Sequence, residues 1–322
     1  MKKIKYIPFL LLLMCYACKS GNVSGQQDAK KSDSIKEFVL PNIPITYTEP
    51  AKRAEYLVMH YWDNFDFSDT AYIHHPEITE QAWTNYINIL TYVPLQQARQ
   101  SMEKMMQQAG QEKKVYVYFT ELADKYLYDP NSPYRNEEFY IPVLESMTST
   151  VLLNKVEKIN PTFRLELANK NRVGNKAIDF TYTLESGKQG TLYSLSSDYI
   201  LIYFNNPGCH ACEEITQELD KSLRIQYMLS QKKLIILSMY PDENLFEWKN
   251  YLNNYPSTWI SGYDKDLAIQ DKKLYDLKAI PTLYLLDKNK TVLLKDTTVP
   301  AIEDYFRNSA LESVAGTRLH VQ

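Results

Sequence analysis

The chain has 322 residues, a formal net charge of −3 and a pI of about 6.0, so its length suggests about two domains. Hydrophobic residues make up 44% and charged residues 23%, which is typical of a folded globular protein and excludes a disordered chain. This mildly acidic balance provides no basic surface, and we expect no nucleic-acid partner. The four cysteines form two close pairs, at 15 and 18 and at 209 and 212, which excludes a secreted scaffold with disulfides spread through the fold.

The N-terminus has the pattern of a bacterial export signal. Three lysines precede an apolar run from Ile7 to Met14 that is too short to cross a bilayer as a helix. The run leads to Ala17-Cys18, a small residue followed by cysteine, which resembles the lipobox of bacterial lipoproteins. The resemblance implies a signal peptide over 1–18 and lipidation at Cys18, with an ordinary cleaved signal peptide as the alternative. We expect a lipid-anchored cell-envelope protein on the periplasmic side, with the outer membrane as an option.

A polar segment follows the signal. Residues 19–36 are rich in Ser, Gly, Lys and Asp and almost free of large apolar side chains. Such a segment buries too little surface to fold, so we predict a flexible tether over 19–40.

Residues 41–168 show helical periodicity. Apolar residues from Ala54 to Phe65 recur at i, i+3 and i+4, with Thr48 as a candidate N-cap of the first helix and Thr79 of the second. Further helices are predicted after Pro94 up to Gly110, over Val115 to Tyr128 and over Glu137 to Val156. The pattern predicts an all-α domain, either a bundle or a stack of helix pairs.

The string from Arg53 to Thr70, RAEYLVMHYWDNFDFSDT, resembles the start of a helical domain of unknown function. That domain precedes thioredoxin-like domains in some envelope lipoproteins of Gram-negative bacteria. The resemblance implies an architecture and no activity.

At about residue 170 the pattern changes to that of an α/β domain. Alternation on both sides of Ser186-Gly187 predicts a hairpin, and two continuous apolar runs predict buried parallel strands at Tyr199–Phe204 and Leu234–Tyr240. Beyond them we predict a helix from Pro241, a strand–turn–strand unit over 279–296 and a closing helix from Val299. This order predicts a mixed sheet with helices on both faces over 169–310, followed by a tail over 311–322.

The second cysteine pair lies between a strand and a helix. In the first turn of a helix, free N–H groups and the helix dipole favour a negative sulfur, which predicts Cys209 as the nucleophile. Cys212, three residues later, lies on the same helix face and is expected to resolve a mixed disulfide. A structural zinc site would need two more ligands, and neither the remaining cysteines nor the histidines supply them at suitable spacing, so we expect no metal.

Ile280-Pro281-Thr282 follows the cysteine pair by about seventy residues and begins a predicted core strand. A proline there marks a special position, because it cannot donate a hydrogen bond to a neighbouring strand. The alternative is an ordinary loop proline.

The stretch 173–307 resembles the thioredoxin superfamily, in particular its membrane-tethered TlpA/ResA-like branch. The resemblance rests on the strand–CHAC–helix unit, on Ile280-Pro281 and on the hairpin AIDFTYTLESGKQGTLYSL. It implies that Cys209 is the nucleophile and Cys212 the resolving thiol. It also implies that Pro281 is a cis-proline on the substrate side, where the neighbouring backbone pairs with the substrate chain.

Three features depart from the family pattern. Pro207-Gly208 stands where a tryptophan usually precedes the first cysteine, and His210-Ala211 separates the two cysteines. Tyr203 replaces a buried acid that helps to remove the proton of the resolving thiol. Glu213 or Glu214 could take over that role, although exposed helix-face charges are more typical of such positions. A protonated His210 would make the disulfide more oxidising; the alternative is an exposed residue without such an effect.

These features predict a thiol–disulfide oxidoreductase that uses no cofactor other than its Cys209–Cys212 pair. The expected partners are thiols and disulfides of envelope proteins, an electron-donor protein and, through the lipid anchor, the membrane. Reductase, oxidase and isomerase all remain open, and the absence of an inserted helical domain between the two motifs favours a reductase or electron relay. A non-catalytic scaffold whose helical domain holds a partner is the alternative. A peroxiredoxin is disfavoured because the required threonine before the cysteine is missing.

Overall fold

The computed structural model describes residues 37–318, with side chains up to residue 309. The predicted signal peptide with Cys18 and most of the predicted tether therefore lie outside the described residues. From Phe38 onward the chain forms one compact unit, in which a helical region precedes a mixed β-sheet.

The helical region contains six α-helices among the described residues. They are α1 (Pro50–His60), α2 (Pro76–Ile89), α3 (Leu95–Ala109), α4 (Lys113–Ala123), α5 (Glu137–Ser149) and α6 (Ile159–Ala168). Two short 3-10 helices, Thr70–His74 and Leu90–Tyr92, and a π-helical turn, Asp124–Tyr128, connect or extend them. The all-α prediction for this region is confirmed.

Aromatic side chains form the core of the helical region. Trp62, Trp83, Tyr86 and Phe119 are almost completely buried, and their rings contact one another at centroid distances between 5.3 and 6.1 Å. The hydroxyl of Tyr86 lies 2.7 Å from that of Ser101, so burial of this ring leaves no hydroxyl without a partner. Part of the chain's high tyrosine content is thus used for packing.

Two predicted helix starts were wrong. The helix α1 begins at Pro50 with Glu49 as its N-cap, and α2 begins at Pro76. Both begin with proline because its fixed φ suits the first helical position and its missing N–H is not needed there. Thr79, predicted as a cap, is buried within α2 and donates its hydroxyl hydrogen bond to the carbonyl of Tyr72 at 2.8 Å.

The predicted helix over Glu137 to Val156 is shorter in the structure. It ends at Ser149 as α5, and the separate helix α6 follows. The break begins at Thr150, which leaves the helical conformation with a ψ of 149°. The side chain of Asn154 then stabilises a turn, because it accepts hydrogen bonds from the N–H groups of Val156 and Glu157 at 2.8 and 3.0 Å. Asparagine side chains stabilise turns in this way at the expense of a continuing helix.

Packing also begins earlier than the predicted end of the tether at residue 40. The ring of Phe38 stacks on Tyr61 at 5.1 Å and meets Trp62 edge to face at 5.4 Å. Asn64 holds the neighbouring backbone by donating to the carbonyls of Val39 and Leu40. Residues 38–40 therefore belong to the helical region.

The second half forms a seven-stranded sheet. Its strands are β1 (Thr181–Leu184), β2 (Gln189–Thr191), β3 (Tyr199–Phe204), β4 (Leu234–Tyr240), β5 (Ile260–Tyr263), β6 (Thr282–Asp287) and β7 (Val292–Lys295). The order across the sheet is β2-β1-β5-β4-β3-β6-β7. The pairs β3–β4 and β4–β5 are parallel and the others antiparallel, which confirms the predicted mixed sheet.

Helices cover the sheet. They are α7 (His210–Lys221), α8 (Leu223–Ser230), α9 (Leu245–Tyr251), α10 (Ala268–Asp271) and α11 (Val299–Arg318). Side chains of α7, α8 and α11 pack on one face, whereas Ile269 of α10 lies in the core on the other. The strand β3, which lies inside the sheet between β4 and β6, is buried on both faces, which explains why its sequence is continuously apolar.

Three details of this half differ from the predictions. The helix predicted from Pro241 begins only at Leu245, where the side chain of the N-cap Asn244 accepts the N–H of Glu247 at 3.3 Å. The strand β5 was not predicted, because its four residues, ISGY, carry neither an apolar run nor a regular alternation. A Cβ atom at Gly262 would lie 3.1 Å from the side chain of Tyr182 in β1, so this packing favours glycine. Glycine in turn weakens the sequence signal of a strand. The closing helix α11 extends to Arg318, well into the predicted tail.

Within the part of the chain that the structure describes, no helix is both long and apolar enough to cross a membrane.

Candidate functional site

The antiparallel pair β3–β6 brings the two sequence motifs together. Phe204, the last residue of β3, pairs with Thr282, the first residue of β6. The segment that leads to Cys209 and the segment that carries Pro281 therefore leave the sheet at the same end. The Ile280–Pro281 peptide bond is cis, and the thiol of Cys209 donates to the carbonyl oxygen of Ile280 at 3.9 Å.

Cys209 is the N-cap of α7. Gly208 turns the chain into this position with a φ of 70°, a value that side chains other than glycine rarely adopt. The N–H of Cys212 donates to the Cys209 sulfur at 3.3 Å. A backbone N–H donor and the positive end of a helix are therefore both directed at the Cys209 sulfur.

Cys212 lies behind Cys209 and is buried, whereas Cys209 is half-exposed. Both cysteines are free in this structure. Burial is the main cause that raises the pKa of Cys212 to about 12. The inner sulfur therefore stays a neutral thiol at neutral pH. The roles of Cys209 as nucleophile and Cys212 as resolving thiol stay predictions.

Tyr203 lies directly under the cysteine pair. Its hydroxyl donates to the carbonyl oxygen of Cys212 at 2.6 Å and lies 3.1 Å from the hydroxyl of Thr216 on the next turn. Burial raises the pKa of Tyr203 far above its ordinary value. The phenol is therefore no base at physiological pH, and its contact with α7 makes it an anchor for the first turn.

Other residues of the site carry no recognisable sequence motif. Asn205 donates to the carbonyl of Tyr203 and to the hydroxyl of Ser238, both at 2.9 Å, and accepts a hydrogen bond from the hydroxyl of Tyr255. These contacts fix the backbone between β3 and the cysteines. The residues come from three separate parts of the chain, and only the fold reveals that they meet.

Glu213 is more than an exposed charge. It is half-buried and its carboxylate accepts a hydrogen bond from the hydroxyl of Tyr251 at 3.1 Å. The pKa of Tyr251 is raised to about 12, mainly by burial and secondly by this hydrogen bond. Glu214, by contrast, is exposed and lies 3.5 Å from the ring of His210.

Among the described residues, His210 is the member of the predicted redox site that the structure does not bring into the cluster. It is the first residue of α7, and its side chain is 85% exposed. Cys209, Cys212, Tyr203, Ile280 and Pro281 meet at one end of the sheet, as the contacts above show. The influence of His210 on the redox pair stays a prediction.

Across the described residues, no group of three or more His, Cys, Asp or Glu side chains is arranged to hold a metal ion.

Two family models match the chain. Residues 17–171 match a family described as a domain of unknown function (DUF5106), and residues 197–292 match one described as thioredoxin-like. The two matches fall on the helical region and on the sheet with the cysteine pair.

Individual relatives agree with this division. A crystal structure of a thioredoxin-like protein from Bacteroides caccae is 59% identical, with a TM-score of 0.83 and coverage of 85% of this chain and 99% of that one. The thiol-disulfide oxidoreductase ResA of Bacillus anthracis is 25% identical over 141 residues, which are 43% of this chain and 79% of ResA. Bovine nucleoredoxin is 28% identical over 112 residues, and the match covers 34% of this chain but only 25% of nucleoredoxin.

Proposed function

Because the chain belongs to the thioredoxin-like proteins, we propose that it is a thiol–disulfide oxidoreductase whose redox pair is Cys209 and Cys212. The observation that carries this proposal is the geometry of the pair. Cys209 is half-exposed, accepts the N–H of Cys212 at a helix N-terminus and touches the backbone before a cis-proline. The matching oxidoreductase relatives support the same reaction class.

The proposed reaction is a two-step exchange. The Cys209 thiolate attacks a substrate disulfide; the substrate S–S bond breaks, a mixed disulfide forms and the released substrate thiolate takes up a proton. Cys212 then loses its proton and attacks the Cys209 sulfur; the mixed disulfide breaks, and the second substrate thiolate leaves and takes up a proton. The products are the Cys209–Cys212 disulfide and the fully reduced substrate, so two electrons pass from the pair to the substrate.

The second step depends on the proton of Cys212. Since the pKa of this thiol is raised to about 12, only a small fraction is ionised at neutral pH. The thiolate is the reactive form, so the rate of resolution is expected to increase with pH.

We further propose that the protein acts as a reductase or electron relay for protein disulfides in the bacterial cell envelope. The lipobox-like Ala17-Cys18 supports a lipid anchor, and the segment between Cys212 and Pro281 has no inserted helical domain of the kind found in dedicated oxidases. The reducing equivalents would come from a dithiol or electron-donor protein of the envelope, since each turnover leaves the pair oxidised.

Trapping tests the assignment of the two roles. Cys212→Ser should stop the reaction after the first step and leave a stable mixed disulfide between Cys209 and the substrate, visible by mass spectrometry after mixing with oxidised insulin. Cys209→Ser is the matched control and should trap nothing. The non-catalytic scaffold would be favoured by two results together: the wild-type protein neither reduces insulin nor equilibrates with glutathione, and the Cys212→Ser variant carries no mixed disulfide.

A further inference from the structure

A groove separates the helical region from the loop that carries Ile280. Its volume is about 280 Å³. The helical region contributes one wall and the loop before β6 the other, and the apolar and aromatic lining residues are Tyr128, Phe163, Leu167, Tyr275, Leu277 and Ile280. We call it the helical-wall groove.

The groove begins next to the reactive sulfur. Ile280 lines it, and the carbonyl oxygen of the same residue is 3.9 Å from the Cys209 sulfur. When Cys209 attacks a cysteine of a polypeptide substrate, the substrate residues next to that cysteine would therefore lie at the entrance of the groove.

Charged groups at the groove are mostly neutralised by partners. Lys278 pairs with Asp276 at 2.8 Å. Arg164, which stacks over the ring of Tyr128 at 4.1 Å, pairs with Asp124 at 2.8 Å. Gln270 and the exposed Lys273 also line the groove, so polar groups lie beside its apolar walls. The apolar part carries no unpaired buried charge among the described residues, which suits an apolar occupant.

The helix α6 extends the apolar surface away from the groove. Leu167 is almost buried at the groove, Phe163 is 44% exposed and Ile159 is 66% exposed. At spacings of four residues these side chains share one helix face. Exposed apolar side chains that continue an apolar groove are typical of a surface that binds another chain.

We propose that the helical-wall groove binds an apolar side chain that flanks the target cysteine in an extended segment of a protein substrate. The inference rests on the proposed oxidoreductase function and gives the helical region a role in substrate selection. At about 280 Å³ the groove is smaller than most ligand sites and matches a single large side chain.

Two matched peptide disulfides test this proposal with the full chain. The peptides differ only in the residue beside the cysteine, phenylalanine in one and serine in the other. The wild-type protein should reduce the phenylalanine peptide with a kcat/KM about tenfold higher, a discrimination typical of an apolar pocket. Phe163→Ala should lower this preference to about twofold, Phe163→Leu should restore most of it, and reduction of 2-hydroxyethyl disulfide should be unchanged in both variants.

Tyr92→Ala is the matched control, since Tyr92 is an aromatic residue of the helical region that is 70% exposed and does not line the groove. It should keep the full preference. Equal rates for the two peptides in the wild type, or an undiminished preference in Phe163→Ala, would overturn the groove while the oxidoreductase function stands. Failure of the wild type on 2-hydroxyethyl disulfide and on both peptides would instead overturn the oxidoreductase function, and the groove with it.

Discussion

The resemblance to thioredoxins implies a buried acid at the position of Tyr203, and a phenol there changes what the site can do. A carboxylate there could accept the proton of the inner thiol, whereas a tyrosine whose pKa is raised by burial cannot. Its hydrogen bond to the Cys212 carbonyl instead holds the first turn of α7 against β3. We therefore regard Tyr203 as a positioning residue.

Tyr203→Phe tests this role. The variant should lose about 1–2 kcal/mol of unfolding free energy in urea, because the buried hydroxyl and its hydrogen bond to Cys212 are removed. The alkylation rate of Cys212, measured in a Cys209→Ser background, should still rise tenfold per pH unit through pH 10. Thr216→Val, which removes the second contact of the phenol, serves as the control. A shift of the alkylation profile in Tyr203→Phe but not in Thr216→Val would instead indicate a direct role in proton transfer.

At the scale of elements, the N-terminus of α7 combines a structural and a chemical task. The Cys209 sulfur takes the place of the side-chain oxygen that usually caps a helix, since it accepts the N–H of Cys212. The same contact stabilises the reactive sulfur. Redox chemistry and the start of the helix are therefore coupled in one side chain.

Exchange of the cap tests this coupling. Cys209→Ser keeps an N-cap acceptor and Cys209→Ala removes it, so the serine variant should exceed the alanine variant by about 1 kcal/mol in unfolding free energy, measured under reducing conditions. Both variants lack the nucleophile and should be equally inactive. Equal stability of the two would show that the contact at 3.3 Å does not cap the helix.

The elements that the sequence predicts well are those with a strong periodic or compositional signal. The apolar strands β3 and β4 and the amphipathic helix α3 belong to this group, as does the strand–CHAC–helix unit. The short strand β5 is missed because its role follows from packing against Tyr182. That Cys209 and Pro281 lie together could be predicted only from the family resemblance. The contacts of Glu213 with Tyr251 and of Asn205 with Tyr255 join distant parts of the chain, and no local pattern encodes them.

At the scale of the whole molecule, a buried lysine connects the sheet to the helical region. Lys295, at the end of β7, pairs with Glu137 of α5 at 2.5 Å and donates to the carbonyls of Ala168 and Lys170 at 3.0 and 2.7 Å. Arg135 and Asp296 form a neighbouring ion pair at 3.0 Å. These contacts hold one wall of the helical-wall groove relative to the sheet.

Lys295→Met should lower the unfolding free energy by about 2 kcal/mol at neutral pH, because it leaves a half-buried carboxylate without this partner. Burial already raises the pKa of Glu137 above its ordinary value, and loss of Lys295 raises it further. The folded variant then binds the proton more tightly than the unfolded chain, so its stability falls as the pH rises through the folded-state pKa. Urea unfolding between pH 4.5 and 8 should show a deficit that is smallest in acid, and adding Glu137→Gln should remove the pH-dependent part. A deficit that is the same at every pH would place the cost in the two carbonyl contacts alone.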